Sequence, residues 1–253
     1  MTPISQKTID RFHQDGFFMI ENFISQAEVA VLHAELLRIQ EEVVPGMPVS
    51  EVYYDDCGDE NSLKQLQQLH VYDNYFASLM NNSPFQKIAE HLLGESVVGK
   101  NLQYFNKRPE SSRPTPPHQD GYYFMIEPMQ AVTLWLALDY VDEENGCVRY
   151  LKKSHQQGLR PHTRTATLGF SQGIVDYGKK SDLANEVAFS CAPGTLIGHH
   201  ALTVHRADQN SSKKRDRRAL GFIYYGVSAR IDEIAHAHYQ ANLAHELKSE
   251  KLI

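Results

Sequence analysis

Pro117-His118-Gln119-Asp120-Gly121 sets an imidazole and a carboxylate two positions apart, directly after the proline-rich turn Pro114–Pro117. In an extended segment, residues i and i+2 share a face, so His118 and Asp120 are expected to reach one cation together. Gly121 then lets the chain turn away without a Cβ beside the ligands. A facial triad needs a third donor from a distant strand, and His205 is the candidate, closing the run Leu202-Thr203-Val204 before the polar turn Arg206–Lys214. Two imidazoles and one carboxylate on one face leave the opposite coordination positions open for substrate and O2, the arrangement of mononuclear non-haem Fe(II) oxygenases. A zinc-dependent hydrolase on a β-barrel could use the same donors. A non-enzymatic jelly-roll binding protein with an incidental His-x-Asp is the third reading.

An oxygenase that consumes 2-oxoglutarate needs a cation for its far carboxylate, and the planar guanidinium fork suits that group. Arg217 opens the run Arg217–Tyr225 shortly after His205, so a hairpin is expected to bring it back beside the metal. Alternation groups Arg217 with Ala219 and Gly221, and Arg218 with Leu220 and Phe222. The small-residue face leaves room for a cosubstrate, which favours Arg217 and keeps Arg218 in reserve. His155, His199 and His200 are further imidazoles; with a triad complete, they are expected to be packed or hydrogen-bonded. Tyr122, Tyr123 and Phe124, directly after the ligand motif, and Arg149 are candidates for the substrate wall.

The elements that must hold these residues change character along the chain. Ser5 and Ser25 read as N-caps of helices over Lys7–Gln14 and Gln26–Glu42, the second with a stripe of Val29, Leu32, Leu36 and Ile39. A short strand is expected between them at 16–20, an irregular stretch over 45–61, and two or three short helices over 63–93. From about residue 96, β-branched and aromatic runs predict strands at 97–107, 131–141, 148–151, 196–200 and 217–227. The expected organisation is one domain over 1–253: helical support to 95, a β core over 96–228 and a closing helix over 229–253.

Composition sets the outer limits. The chain has 253 residues, 42% of them apolar, and a formal charge of −6, which argues against a nucleic-acid partner. No apolar run reaches the ~20 residues of a membrane helix, and the N-terminus has no basic-then-apolar leader. Three cysteines without a Cys-x-x-Cys pair point to a reducing, cytoplasmic setting. A small-molecule substrate is expected; oligomeric state is not legible.

These residues resemble the phytanoyl-CoA dioxygenase family of Fe(II)/2-oxoglutarate oxygenases across most of the chain. The resemblance runs in order through Phe12-His13-Gln14-Asp15-Gly16-Phe17, His118-Gln119-Asp120, Val132-Thr133-Leu134-Trp135, Glu144-Asn145-Gly146, Ala192-Pro193-Gly194-Thr195, His205 and Arg217-Arg218-Ala219. It implies an α+β chain with a mainly β core, a double-stranded β-helix (cupin-like jelly roll) with flanking N-terminal helices. It also implies Fe(II) at His118, Asp120 and His205, 2-oxoglutarate on Arg217, and O2 as co-reactant. Trp135, which alone would read as core packing, is placed against the cosubstrate by the same resemblance, together with Gln103 or Tyr104, of which alternation admits one. The spacing from His205 to the arginine is a residue longer than in some relatives, which keeps Arg218 open. An ionised Asp120 on the metal would occupy the position a halide needs, so halogenation is disfavoured. Hydroxylation is the default expectation, with desaturation, epoxidation or ring formation left open because they depend on substrate placement.

Overall fold

The computed structural model describes residues 4–234 except 57, 111, 112, 168 and 169, together with 237 and 241. Both serine caps form. Ser5 accepts the Thr8 N–H and starts α1 (Gln6–Asp15). Ser25 and Glu28 close a reciprocal capping box at α2 (Gln26–Arg38), satisfying two donors that a helix start leaves unpaired. The stripe Val29, Leu32, Leu36 and Ile39 is buried. Beyond Arg38 the helix widens into a π-helical turn, Ile39–Val43. Three helices follow, α3 (Leu69–Tyr72), α4 (Asn74–Met80) and α5 (Pro84–Leu93); two short ones, α6 (Gly121–Phe124) and α7 (Lys180–Asn185), lie later.

The β core has two main antiparallel sheets. The larger runs in the order β1 (Phe17–Ile20), β12 (Leu196–His200), β7 (Ala131–Ala137), β14 (Arg217–Gly226), β4 (Val97–Lys107), β3 (Leu63–Leu66) and β2 (Val52–Tyr54). The smaller runs β11 (Glu186–Ala188), β8 (Val148–Leu151), β13 (His205–Ala207) and β5 (Thr115–His118). Two ribbons complete it: β9 (His162–Thr167) with β10 (Phe170–Ile174), and β6 (Ile126–Glu127) with β15 (Arg230–Ile231). This is the expected jelly roll with a helical flank.

Alternation divides the larger sheet into two buried faces. Leu134, Leu136, Leu196, Leu220, Phe222 and Tyr224 pack under the helices with Leu32, Leu36, Phe76 and Phe85. Trp135, Ala137, Ile197 and Ala219 face the smaller sheet and meet Val148 and Tyr150. Every residue of β7 is therefore buried, as expected of a strand covered on both sides.

Four expectations need correction. Leu63–Leu66 is a strand, because β4 presents a partner edge (Gln65 opposite Phe105, Leu66 opposite Tyr104) and pairing there overrides the weak helical preference of so short a segment. The run 131–141 ends as a strand at Ala137, after which Val141 makes an isolated bridge to Cys191. Arg217 does not return by a hairpin: β13 belongs to the smaller sheet and β14 to the larger, so the connection crosses between sheets. A closing helix from 229 fails at its start, where Arg230 and Ile231 pair with β6; most of the remainder, like Cys57, lies outside the described residues.

Candidate metal centre

β5 ends at His118, and Asp120 already has helical dihedrals (φ −57°, ψ −34°) at the start of α6. The two side chains thus converge through a strand-to-helix corner and not through an extended i, i+2 pair. Gly121 belongs to that corner: its N–H donates to Ala201 O at 2.9 Å, and a Cβ would stand 2.8 Å from Met129 Sδ. His205 lies directly opposite His118 across the β5–β13 ladder, with ring centroids 4.1 Å apart. Asp120 Oδ1 is 3.5 Å from His118 Nε2 and 3.6 Å from His205 Nε2. One ligand atom from each residue lies within 4.8 Å of the others, a spacing that could hold one metal ion.

The protonation pattern suits a cation. His118 Nδ1 lies 2.8 Å from Pro116 O and His205 Nδ1 3.0 Å from Thr203 O. A carbonyl only accepts, so each Nδ1 carries the proton and Nε2 is left as the metal-binding nitrogen. Burial, reinforced by His118 and His199, pushes His205 well below the ordinary imidazole range and keeps it neutral. Burial opposes ionisation of Asp120, yet its carboxyl is held well below its usual range, with the imidazoles of His205, His118 and His199 gathered around it.

Gln119, between the two ligands, is fully buried. Its Nε2 donates to Gly158 O (2.9 Å) and Leu202 O (2.7 Å), its Oε1 accepts from the Arg160 N–H (2.8 Å), and its backbone N–H donates to His162 Nε2 (3.2 Å). The ligand corner is thereby fastened both to the 158–162 segment and to the residues before His205. Sequence reasoning assigned no role to Gln119, Thr133 or Tyr150, whereas His199 was expected to be packed or hydrogen-bonded, as it is. Thr133 Oγ1 donates to Asp120 Oδ2 at 2.6 Å, and His199 Nε2 lies 3.0 Å from the same oxygen. Their signal was available: Thr133 precedes Trp135 by two residues, which puts both on one face of β7.

Arg217 is 5% exposed, with its guanidinium 5.4 Å over the Trp135 ring and an Nε that has no hydrogen-bond partner among the described residues. Burial pushes it down to about 10, so it stays cationic at neutral pH. Directly opposite on β4 is a buried lysine, Lys107, whose Nζ donates to Arg113 O at 2.7 Å and whose amine is pushed well below the usual range by burial and by Arg217. Arg218 points the other way and is engaged: its Nε and Nη2 bind Asp139 at 2.9 and 2.8 Å, which removes it as the reserve clamp. Gln103 lies opposite Gly221, as does Trp135, so it takes the inner face. Tyr104, opposite Leu220, is buried under the helices and drops out. The inner face is less open than its small residues suggest, since a Cβ on Gly221 would come within 2.9 Å of the Phe105 ring.

The wall candidates separate. Tyr123 sits edge-on to His118 at 6.0 Å and exchanges hydrogen bonds with the Gln172 backbone. Tyr122 stacks on His162 at 4.3 Å. Phe124 packs with Ile126, Ala131, Ala201 and Ile223 behind the ligand corner. Arg149 does not join them: its register partner is Arg206, and it pairs with Asp208 (2.8 Å), Glu143 and Glu186 on the outer side of the smaller sheet. His155 and His200 are hydrogen-bonded, to His13 O and the Leu202 N–H.

The jelly roll thus brings two imidazoles and one carboxylate together, with a buried arginine whose Nε has no partner among the described residues. The chain belongs to the phytanoyl-CoA dioxygenase (PhyH) family, whose profile matches residues 12–219. It is similar to the peroxisomal phytanoyl-CoA dioxygenase of Bos taurus, 26% identical over 216 residues that cover 80% of this chain and 63% of the bovine one. It is also similar to a probable alpha-ketoglutarate-dependent hypophosphite dioxygenase of Stutzerimonas stutzeri, 26% identical over 219 residues, 85% of this chain and 75% of that one. The matches to the bovine, rat and mouse peroxisomal enzymes span 63%, 67% and 63% of their lengths. The fold matches EctD from S. alaskensis, solved with bound Fe (20% identity, TM-score 0.75, covering 91% of this chain and 80% of that one). It also matches the non-heme alpha ketoglutarate dependent carbocyclase SnoK from nogalamycin biosynthesis (22% identity, TM-score 0.72, covering 91% and 89%).

Proposed function

We propose that this protein is an Fe(II)- and 2-oxoglutarate-dependent dioxygenase that hydroxylates an unactivated C–H bond of a small molecule, of acyl or secondary-metabolite type, with release of succinate and CO2. The observation that carries this reading is the pairing of the His118, Asp120 and His205 cluster with a buried guanidinium whose Nε is unpartnered. Such a group is costly to bury unless something pairs with it. A zinc hydrolase or a passive binding barrel has no use for it; the distal carboxylate of 2-oxoglutarate does.

Iron and cosubstrate supply the oxidising chemistry when bound. His118, Asp120 and His205 hold the metal on one face and leave the opposite positions free. Arg217, stacked on Trp135, takes the distal carboxylate, with Gln103 lining the same face. Tyr122 and Tyr123 flank the ligand corner on the substrate side, with Phe124 packed behind them. The buried sheet interface excludes water from these polar contacts and so strengthens them. An ionised Asp120 on the metal disfavours halide transfer.

Within this reading the setting is a reducing cytoplasm, in keeping with the buried free thiols Cys147 and Cys191. No helix among the described residues is long and apolar enough to cross a membrane. The deciding experiment is anaerobic addition of Fe(II) and then 2-oxoglutarate, with the metal-to-ligand charge-transfer band read in the visible region. Its absence with iron demonstrably bound overturns the assignment. Substrate-free succinate formation should then fall in Asp120→Ala and Arg217→Ala; wild-type turnover in both would show that the residue roles are wrong.

A further inference from the structure

Asp120 has two oxygens in different company. Oδ1 faces the Nε2 atoms of His118 and His205 at 3.5 and 3.6 Å. Oδ2 takes the Thr133 hydroxyl at 2.6 Å and His199 Nε2 at 3.0 Å. Thr133 and His199 are register partners on β7 and β12, so the larger sheet presents them side by side to a carboxylate at the corner between β5 and α6. His199 Nδ1 in turn meets the Tyr150 hydroxyl at 3.1 Å. All three are buried, with Tyr150 at 0%, His199 at 3% and Thr133 at 7% exposure.

The direction of each hydrogen bond follows from the groups. A carboxylate accepts only, so Thr133 Oγ1–H and His199 Nε2–H both donate to Oδ2. His199 Nδ1 is then the acceptor, and Tyr150 O–H donates to it. This also explains why His199, with its ring 4.3 Å from that of His205, is not a fourth ligand: its near nitrogen carries the proton that Asp120 holds.

We propose that Thr133, His199 and Tyr150 form a positioning relay that saturates Asp120 Oδ2 and commits the carboxylate to bind the metal through Oδ1 alone. With Oδ2 occupied, the carboxylate cannot swing into bidentate coordination and consume a position that the cosubstrate and O2 require. Tyr150 acts one step further out, fixing the His199 tautomer that makes Nε2 the donor. The inference rests on the metal assignment above and deepens it.

The test loads the full-length protein anaerobically with Co(II) and reads two quantities: affinity, by competition with a chromophoric chelator, and the visible ligand-field spectrum, which reports coordination number. Thr133→Val and His199→Leu should each weaken Co(II) binding by roughly 10- to 100-fold, the usual cost of losing an outer partner of a ligand, and should alter the spectrum. Thr133→Ser and His199→Gln, which keep a donor towards Oδ2, should recover affinity to within about 3-fold and restore the spectrum. Tyr150→Phe should weaken binding in the wild-type background and have no further effect in His199→Gln. Circular dichroism and thermal melting establish that each variant is folded. Wild-type affinity and spectrum in folded Thr133→Val and His199→Leu overturn the relay, as does equal loss in the Ser and Gln variants. Failure of the wild-type protein to bind Co(II) at all overturns instead the metal assignment on which the relay depends.

Discussion

Replacing Arg217 by methionine separates its proposed role in binding from any role in stability, because the two effects should have opposite signs. In the folded chain the guanidinium is 5% exposed, sits opposite Lys107 and has no ion-pair partner among the described residues. Removing a buried cation of this kind relieves desolvation and repulsion, and methionine fills much of the same volume, so stability should hold or rise by about 1 kcal/mol. Cosubstrate affinity should move the other way. Truncating one partner of a buried, hydrogen-bonded charge pair costs roughly 2–5 kcal/mol; taking about 3 kcal/mol, the loss is roughly 150-fold. The assay is a 2-oxoglutarate titration of the anaerobic Fe(II) protein, followed by its charge-transfer absorption, with urea unfolding of the same variant alongside. Arg218→Ala is the control: its guanidinium is spent on Asp139, so 2-oxoglutarate affinity should stay within about 3-fold while a partly exposed pair is lost for ~1 kcal/mol or less. A reversed pattern, with Arg217→Met binding normally and Arg218→Ala losing 100-fold, refutes the assignment of faces.

Other outcomes follow from the same geometry. His205→Ala should reduce Fe(II) affinity by more than about 100-fold, since even outer partners of ligands are worth 10- to 100-fold; equilibrium dialysis with metal analysis checks it. Gln119→Leu should strand Gly158 O, Leu202 O and the Arg160 N–H, a loss of about 3 kcal/mol at roughly 1 kcal/mol each. Urea denaturation showing less than ~1 kcal/mol of loss would contradict it. Burial holds His200 at about 4, below the ~6.5 of an unfolded chain. Between those values the unfolded state binds the extra proton, so this stabilising contribution is complete above about pH 6.5 and is lost as pH falls towards 4, by about 2 kcal/mol in all for a residue not wholly shielded from water. The acid limb of the stability curve should flatten in His200→Gln.

Much of this was legible in the sequence, and the reasons differ from one residue to the next. The helix starts at Ser5 and Ser25 depend on local hydrogen bonding, and the long strands on alternation, so both could be placed. The choice of Arg217 over Arg218 rested on alternation along strands buried on both faces, where one residue of slip reverses every side chain; of Gln103 and Tyr104 alternation admitted one without saying which. Local reasoning failed where a partner from elsewhere decides. Leu63–Leu66 is extended because β4 lies beside it. Arg149 faces outward because Asp208 and Glu186 draw it there. The contacts of Thr133, His199 and Tyr150 around Asp120 could not be read locally, because they form only where Asp120 arrives opposite them. The His118 and Asp120 geometry was anticipated for an incorrect reason, since a helical corner and not a continuous strand brings them together.

The division of the site between two sheets bears on the order in which the protein matures. His118 and His205 belong to the smaller sheet, while Arg217, Thr133 and His199 belong to the larger. Neither sheet alone carries both the ligand cluster and its supports, and the contacts that join them connect residues far apart in the chain. Such contacts form late in folding, after the loops between them have closed. A nascent or partly folded chain therefore offers the metal little beyond His-x-Asp, and iron loading should follow folding without templating it. Once in place, a cosubstrate reaching from the ligand cluster to Arg217 would tie one sheet to the other, so that the chemistry of the site also governs how readily the sandwich opens.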